Sequence, residues 1–281
     1  MSNPPPRSPA QLLRQYGLTA KKSWGQNFLH DASVHGAIAA EVLPDRDVVE
    51  IGPGLGSLTV HLLARARQVV AIERDREMCA VLRQEYATAN GLTIREADAV
   101  KFDYAQTGCR QPTVVGNLPY QLTGPLLFRL LDYHTHLGPW ILMVQREVGD
   151  RLAADPGTRS YGAATVSLSR LRAITKVRNV PRGAFTPPPR VDSAILRFDP
   201  LERPRGEVDN AAAFPRFVQT LFQRRRKTLL NALSAVMDRA DAARACASLG
   251  IDPGIRPERL TTEQFAALDR HRTALVARAD D

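Results

Sequence analysis

Two short stretches of this 281-residue chain combine residue types that could do chemistry. The first is Asn117-Leu118-Pro119-Tyr120. The Asn117 side-chain oxygen and the Leu118 carbonyl are two hydrogen-bond acceptors on adjacent residues. Such a pair suits an exocyclic amine that carries two hydrogens and whose lone pair is delocalised into an aromatic ring. Accepting both hydrogens draws the nitrogen toward tetrahedral geometry and stabilises the positive charge that develops as it attacks an electrophile. Pro119 fixes the turn that presents the acceptors. Tyr120 offers an aromatic face to a base lifted from its stack, a contact worth about 1–3 kcal/mol in nucleic-acid sites. By residue type alone, the tetrapeptide also has a less specific reading, a strand exit with Asn as turn former and Tyr as core. What precedes it in the chain therefore matters.

The second stretch, Gly52-Pro53-Gly54-Leu55-Gly56, stands between an apolar strand pattern and an amphipathic helical one. Only residues without a Cβ let a ligand approach a turning backbone closely, so a nucleotide-bearing cofactor is the natural occupant. A dinucleotide fingerprint would space its glycines G-x-G-x-x-G; here Ser57 holds the sixth place, which favours S-adenosylmethionine over a nicotinamide cofactor. Glu73 closes the next strand, where a carboxylate can accept both hydroxyls of an adenosine ribose. Asp98 follows the third strand and is placed to accept from the adenine amino group. Each signal alone is weak; their order along the chain makes them specific.

The elements that must hold these residues are legible in the hydrophobic periodicity. From Asp47 to Glu73 an apolar run, a glycine turn, an amphipathic stretch and a second apolar run describe one βαβ unit. Further strand patterns at Leu92 to Glu96, Thr113 to Gly116 and Trp140 to Gln145 alternate with helical ones. This predicts an α/β fold with a parallel, doubly wound sheet. Ala173 to Val180 and Ser193 to Phe198, flanking the cluster Pro187–Pro189, predict a hairpin closing one sheet edge. Beyond Pro200 to Asn210, residues Phe214, Phe217, Val218, Leu221 and Phe222 recur at helical spacing. Thr261 and Gln264 predict a capping box, with Leu260 stapled to Phe265. The expected organisation is a flexible tail over residues 1–20, an α/β domain over 21–204 and an all-helical unit over 205–281.

The net charge of +9 favours a polyanionic partner, because Lys and Arg gain affinity by releasing counterions from phosphates. No apolar run approaches the roughly 20 residues that span a bilayer. The N-terminus carries prolines where a secretory signal needs an apolar core. A cytoplasmic protein without membrane contact is expected. Three cysteines, far apart and odd in number, suit neither a disulfide framework nor a zinc site, and no metal is expected.

The tetrapeptide matches the pattern of amino-group methyltransferases acting on adenine. From Lys21 to the last helices the chain resembles the ribosomal RNA small-subunit adenine dimethylase family of the KsgA type. The segments that carry the resemblance are Gly25-Gln-Asn-Phe-Leu29, Glu50-Ile-Gly-Pro-Gly54, Glu73, Asp98, Gly116-Asn-Leu-Pro-Tyr120, Gln145-Arg-Glu-Val148, Tyr161-Gly162, Phe185-Thr-Pro-Pro-Pro189 with Val191-Asp-Ser193, and Arg225-Arg-Lys-Thr228. The resemblance implies a Rossmann-like class I methyltransferase domain with a seven-stranded, mostly parallel sheet and a small all-helical C-terminal domain. It implies S-adenosylmethionine as cofactor and small-subunit rRNA within the immature 30S subunit as partner. The implied reaction is N6,N6-dimethylation of two adjacent adenines in a hairpin loop near the 3′ end, by a monomer. Carried over by position, Asn27, Leu29, Gly52, Gly54, Glu73, Asp98 and Asn117 would contact the cofactor, and Asn117, Leu118, Pro119, Tyr120 and Phe185 the target adenine. Two departures stand out: Trp24 replaces the family's usual Phe, and Gln121-Leu-Thr-Gly124 replaces Asn-Ile-Ser-Thr.

The densest basic run is Arg224-Arg225-Arg226-Lys227. Such runs are more often solvated helix faces. Here, however, continuing the apolar stripe of the preceding helix would bring Arg225 and Arg226 toward the core, so the helix is expected to break and expose them. With Arg146, Arg190 and Arg151 they could grip phosphates in a cleft between the domains. A macrolide-resistance type methylase of large-subunit rRNA shares the framework, but Leu118 and Phe185–Pro189 favour the small subunit. A catalytically idle RNA-binding factor is opposed by the intact Glu73 and Asn117–Tyr120, and a nicotinamide oxidoreductase by the glycine spacing.

Overall fold

A computed structural model describes residues 7–279. By their internal contacts these form two compact units. The first comprises the chain through Gly149 with Thr175–Pro200; the second comprises Asp150–Ile174 and the chain from Leu201 onward.

In the first unit, helix α1 (Pro9–Gln15) precedes the two-residue strand β1 (Phe28–Leu29) and helix α2 (Ala32–Ala40). Strand β2 (Asp47–Ile51), helix α3 (Thr59–Leu63) and strand β3 (Gln68–Glu73) form the βαβ unit read from the sequence. There follow α4 (Arg76–Glu85), β4 (Leu92–Glu96), β5 (Thr113–Asn117), α5 (Thr123–Asp132), β6 (Trp140–Gln145) and α6 (Arg146–Leu152). After α7 (Ala163–Ser169) come β7 (Arg172–Val180), the short β8 (Phe185–Thr186) and β9 (Ser193–Pro200).

Seven strands form one sheet in the order β4-β3-β2-β5-β6-β9-β7. The first five are parallel to one another, and β9 is antiparallel to β6. The fold is thus a Rossmann-like, doubly wound architecture with an antiparallel strand pair added at one edge. Strands β2, β3, β5 and β6 are buried along almost their whole length, as expected of parallel strands covered on both faces. The chain runs outward from β2 to β4, then returns to place β5 on the other side of β2. That reversal opens a crevice at the carboxyl ends of β2 and β5, where doubly wound sheets bind ligands. The last two strands meet the expectation of added edge strands, although β9 lies inside β7.

The second unit packs α7, α8 (Phe214–Gln223), α9 (Leu229–Leu233), α10 (Arg239–Ser248) and α11 (Thr262–Ala279). Its core joins Phe214, Phe217, Val218 and Leu221 with Leu233 and Phe265, and includes Val166 of α7. The apolar face of α7 explains why Asp150–Ile174 group with the helices, where the sequence drew one continuous α/β domain to residue 204. The capping box is present: Thr261 N donates to Gln264 Oε1 (2.9 Å) and Gln264 N to Thr261 Oγ1 (3.3 Å). Leu260 and Phe265 are both fully buried beside it.

The sequence reading of residues 1–20 as a flexible tail is corrected over Pro9–Gln15. Ser8 and Gln11 form a capping box there, and Leu12 packs into a small core with Phe28, Leu55, Met78 and Val81. The prolines before it, which suggested a tail, lie outside the described residues up to position 6. No helix among the described residues is long and apolar enough to cross a membrane.

Candidate functional site

One cavity at the carboxyl ends of β2, β3 and β5 is lined by all seven residues read as cofactor contacts: Asn27, Leu29, Gly52, Gly54, Glu73, Asp98 and Asn117. Leu118, Pro119 and Tyr120 line it as well. Phe185 does not: it is 2 % exposed and packs in the sheet core with Leu29 and Ile195. In β8 it pairs with Leu29 of β1, so its place is behind the cavity wall. A register argument could not have shown this, because β1 and β8 are two-residue strands from distant parts of the chain.

The glycine turn is shaped as the sequence requires. Gly54 and Gly56 have φ of 57° and 82°, where side chains are strained, and a Cβ on Gly56 would lie 2.6 Å from the Tyr86 ring. Tyr86 OH in turn donates to the Gly56 carbonyl at 2.7 Å, holding the turn from α4's C-terminal end. Glu73 anchors its other side: Gly54 N donates to Oε2 (3.1 Å) and Asp75 N to Oε1 (2.9 Å). Each carboxylate oxygen keeps lone pairs for a further donor. Burial pushes the Glu73 carboxyl above its ordinary range, against those backbone hydrogen bonds. Asp98 Oδ1 accepts from Val100 N (3.0 Å), which steadies the loop after β4.

Asn117 is oriented by its own amide. Its Nδ2 donates to the Asn27 carbonyl (3.2 Å), and Asn27 Nδ2 donates to the Gly25 carbonyl (3.0 Å). With the donor end engaged, Oδ1 is the end left to accept. Close packing of β5 on β2 needs Gly116, since a Cβ there would meet the Ile51 carbonyl at 2.9 Å. Leu118 N donates to the Met143 carbonyl (3.1 Å), fixing the peptide that follows Asn117. Tyr120 OH and Ser193 Oγ are 2.9 Å apart, and burial raises the phenol's pKa, so it stays neutral.

Several residues around the site were given no individual role by the sequence reading. Lys21 Nζ (2.8 Å) and Gln26 Nε2 (2.7 Å) both donate to Asp75, tying the segment before Asn27 to the end of β3. Trp24 lines the cavity, half-exposed, with Arg74 4.4 Å and Lys21 5.0 Å from its ring centroid. Glu50 is 1 % exposed in β2 and accepts from Thr59 Oγ1 at 2.7 Å. A charged residue inside the apolar run Val48-Val49-Glu50-Ile51 was a visible signal.

Burial, reinforced by the nearby Glu73 and only partly offset by Thr59, pushes Glu50 from 4.5 to about 8. The folded state therefore holds a proton that the unfolded state has lost above pH 4.5. Stability from this group is complete below that pH and falls by about 1.4 kcal/mol per pH unit until pH 8. Glu50→Gln, which keeps an acceptor for Thr59, is expected to remove that decline. Parallel thermal melts of the two proteins across this window are the measurement, and identical pH slopes would disprove a neutral Glu50.

The basic residues fall in both units. Helix α8 ends at Gln223, as its apolar stripe required. Arg224, Arg226 and Lys227 are exposed. Arg225 departs from the expectation of free exposure: it pairs with Glu258 at 3.3 Å and donates to the Arg159 carbonyl at 3.2 Å. In the first unit, Arg190 is exposed and Arg146 lies 3.6 Å from Asp192.

Comparison with known proteins agrees with this architecture. The family described as "Ribosomal RNA adenine dimethylase" matches residues 17–270. The protein named "Ribosomal RNA small subunit methyltransferase A" of Anaeromyxobacter sp. (strain K) is 46 % identical over 94 % of this chain and 97 % of its own length. The protein of that name from Myxococcus xanthus is 42 % identical over 94 % of each. Among solved structures, a dimethyladenosine transferase from Plasmodium falciparum superposes with a TM-score of 0.71 at 28 % identity, covering 86 % of this chain and 95 % of its own. The 23S rRNA methyltransferase ErmE superposes with a TM-score of 0.70 at 27 % identity, covering 88 % and 100 %. Matched over nearly its whole length in sequence and fold, the chain belongs to the ribosomal RNA adenine dimethylase family.

Proposed function

We propose that this protein transfers methyl groups from S-adenosylmethionine to N6 of adenine in small-subunit rRNA, dimethylating two adjacent adenines of a hairpin loop near the 3′ end in the immature 30S subunit. The observation that carries this reading is the orientation of Asn117: its amide nitrogen is engaged by Asn27, so its oxygen is the acceptor facing the cavity end of β5. The glycine turn and Glu73 fit an adenosine-bearing group, because Gly52 and Gly54 line the cavity beside a carboxylate with acceptor capacity to spare.

When bound, S-adenosylmethionine supplies an electrophilic methyl on a sulfonium. The protein's part is to aim the nucleophile. Asn117 Oδ1 and the Leu118 carbonyl would accept the two N6 hydrogens, localising the lone pair and offsetting the positive charge that N6 would carry once the methyl's bond to sulfur is exchanged for one to nitrogen, until one of those hydrogens leaves as a proton. Tyr120, neutral and braced by Ser193, presents its ring to the flipped base. Glu73 and Asp98 would hold the ribose and the adenine of the cofactor. Exposed Arg224, Arg226 and Lys227, with Arg190, contact RNA phosphates.

The small-subunit assignment rests on sequence, since fold similarity to the dimethyladenosine transferase and to ErmE is nearly equal. The test is incubation of the purified protein and cofactor with protein-free rRNA of each subunit and with immature small subunits, followed by mass spectrometry of nucleosides. Dimethyladenosine is expected in small-subunit RNA. Its appearance in large-subunit RNA alone would transfer the assignment to the ErmE-like reaction.

Replacing Arg224, Arg226 and Lys227 together with Ala is expected to weaken RNA binding. The slope of log K against log salt should flatten by roughly two to three, about 0.9 for each phosphate no longer neutralised, while cofactor affinity stays the same. Filter binding at several salt concentrations measures this, and an unchanged slope would take these residues out of the RNA interface. Arg225 is left intact because its removal would also break the Glu258 pair.

A further inference from the structure

Among the described residues, Trp24 is the one Trp, Tyr or Phe side chain that stands exposed, at 37 %. Single exposed apolar side chains are ordinary. This one is set apart by its place, on the wall of the cavity that Asn117 and Tyr120 also line. It is also held there. Trp24 closes a short helical turn (Lys22–Trp24), its N donating to the Lys21 carbonyl at 3.0 Å. Lys21 and Gln26, on either side, both donate to Asp75, which is buried. The indole is therefore presented by a segment pinned to the end of β3.

The charge beside it can be read. Arg74 lies 4.4 Å and Lys21 5.0 Å from the ring centroid. Lys21 is engaged by Asp75 and Glu77. Arg74 also lines the cavity, is exposed, and makes no ion pair among the described residues. The cofactor reading gives neither Trp24 nor Arg74 a task. Its ribose and adenine meet the acceptors Glu73 and Asp98, its sulfonium and ammonium are cations, and its carboxylate is on the amino-acid part, away from the adenosine. A π face and an anion within reach of one another are what a nucleotide of an RNA chain offers, and aromatic rings beside cations are how proteins hold unpaired strands. Arg74 follows β3, and Asn117 ends β5, two strands away in the order β3-β2-β5. That is roughly 10 Å, a span that the nucleotide next to a flipped adenine can cross.

We propose that Trp24 and Arg74 form a binding platform for the substrate RNA: the indole stacks on the base of a nucleotide adjoining the flipped adenine, and the Arg74 guanidinium takes its phosphate. This rests on the RNA-methylation reading above. With immature small subunits as substrate, Trp24→Ala is expected to raise KM for RNA roughly five- to 150-fold, the range for one base–aromatic stack, with a smaller change in kcat. Trp24→Phe, which keeps an aromatic face, should recover most of the loss. Arg74→Ala should flatten the slope of log K against log salt by about 0.7, the value for one phosphate of a single strand, whereas Trp24→Ala weakens binding without changing the slope. Calorimetry with S-adenosylhomocysteine should give affinities within about twofold of wild type for all three variants.

A measurement on the unaltered protein guards against a variant that does not fold. The chain has two tryptophans, and Trp140 is fully buried in the sheet, so a change at the surface is reported by Trp24. In protein already saturated with S-adenosylhomocysteine, adding the RNA is expected to quench its emission and to shield it from acrylamide. An unchanged KM for RNA in Trp24→Ala, a parallel loss of S-adenosylhomocysteine affinity, which would make Trp24 part of the cofactor wall, or emission indifferent to bound RNA would each overturn the proposal. Wild-type protein that methylates rRNA of neither subunit would instead remove the RNA-methylation reading, and this proposal with it.

Discussion

Asn117→Ala is expected to lower the rate of both methyl transfers by roughly 10²–10³-fold, equivalent to about 2.7–4 kcal/mol, by analogy with deleting one donor from an oxyanion hole. The two ends of the amide have separate tasks. Nδ2 is engaged with the Asn27 carbonyl, so Oδ1 is available to the substrate amine. Without it, the Leu118 carbonyl alone cannot set the direction of the N6 lone pair. On the proposed mechanism the monomethylated amine must be held differently for the second transfer. After one methylation N6 keeps a single hydrogen, one acceptor loses its partner, and the new methyl must turn into free space in the cavity near Leu122. Asn117→Asp sharpens the test, because an anionic oxygen would replace the donor that faces the Asn27 carbonyl. It should therefore lose activity too, despite offering more acceptors. The measurement is a time course of mono- and dimethyladenosine in small-subunit RNA with purified wild type and both variants. Near-normal dimethyladenosine from Asn117→Ala would show that Asn117 is not the central residue of the chemistry.

Glu73→Gln is expected to weaken S-adenosylhomocysteine binding by roughly 10²-fold or more, because hydrogen bonds to a charged acceptor contribute about 1.5–3 kcal/mol each and two ribose hydroxyls are involved. The structure adds a consequence that the sequence did not contain. Glu73 is also the acceptor for Gly54 N and Asp75 N, so an amide NH₂ must face one of these donors. The variant should therefore lose stability, by about 1–3 kcal/mol for an unsatisfied buried donor, and the glycine turn should loosen. Calorimetry with S-adenosylhomocysteine and a denaturant titration of the free protein report the two effects separately. Affinity equal to wild type would remove Glu73 from the cofactor site, and unchanged stability would mean that the turn holds without it.

The sequence by itself determined the features whose causes are local. The continuous apolar runs of β2, β3 and β5 announce parallel strands covered on both faces. The glycines at 54 and 56 announce a turn with positive φ. The break after Gln223 follows from a stripe that would otherwise carry arginines into the core, and the cap at Thr261 from a pair three residues apart. Asn117–Tyr120 could be marked for their chemistry because donor and acceptor types are properties of the residues themselves.

What only the tertiary structure decided depends on partners far apart in the chain. Asn117's amide has a fixed direction because β1 brings the Asn27 carbonyl to it, 90 positions away. Glu50 is neutral because two covered faces of the sheet remove it from water, and no property of the residue foretells that. Pro9–Gln15 is a packed helix because Leu12 finds Phe28, Leu55 and Met78, and Asp150–Ile174 group with the helical unit because α7 finds α8. Phe185 stands behind the wall because pairing with Leu29 sets its register. Periodicity and capping act over a few residues and are written in order along the chain. Burial, register and the orientation of a buried amide are settled by whichever distant surfaces meet when the core closes, and that outcome exists only in the folded protein.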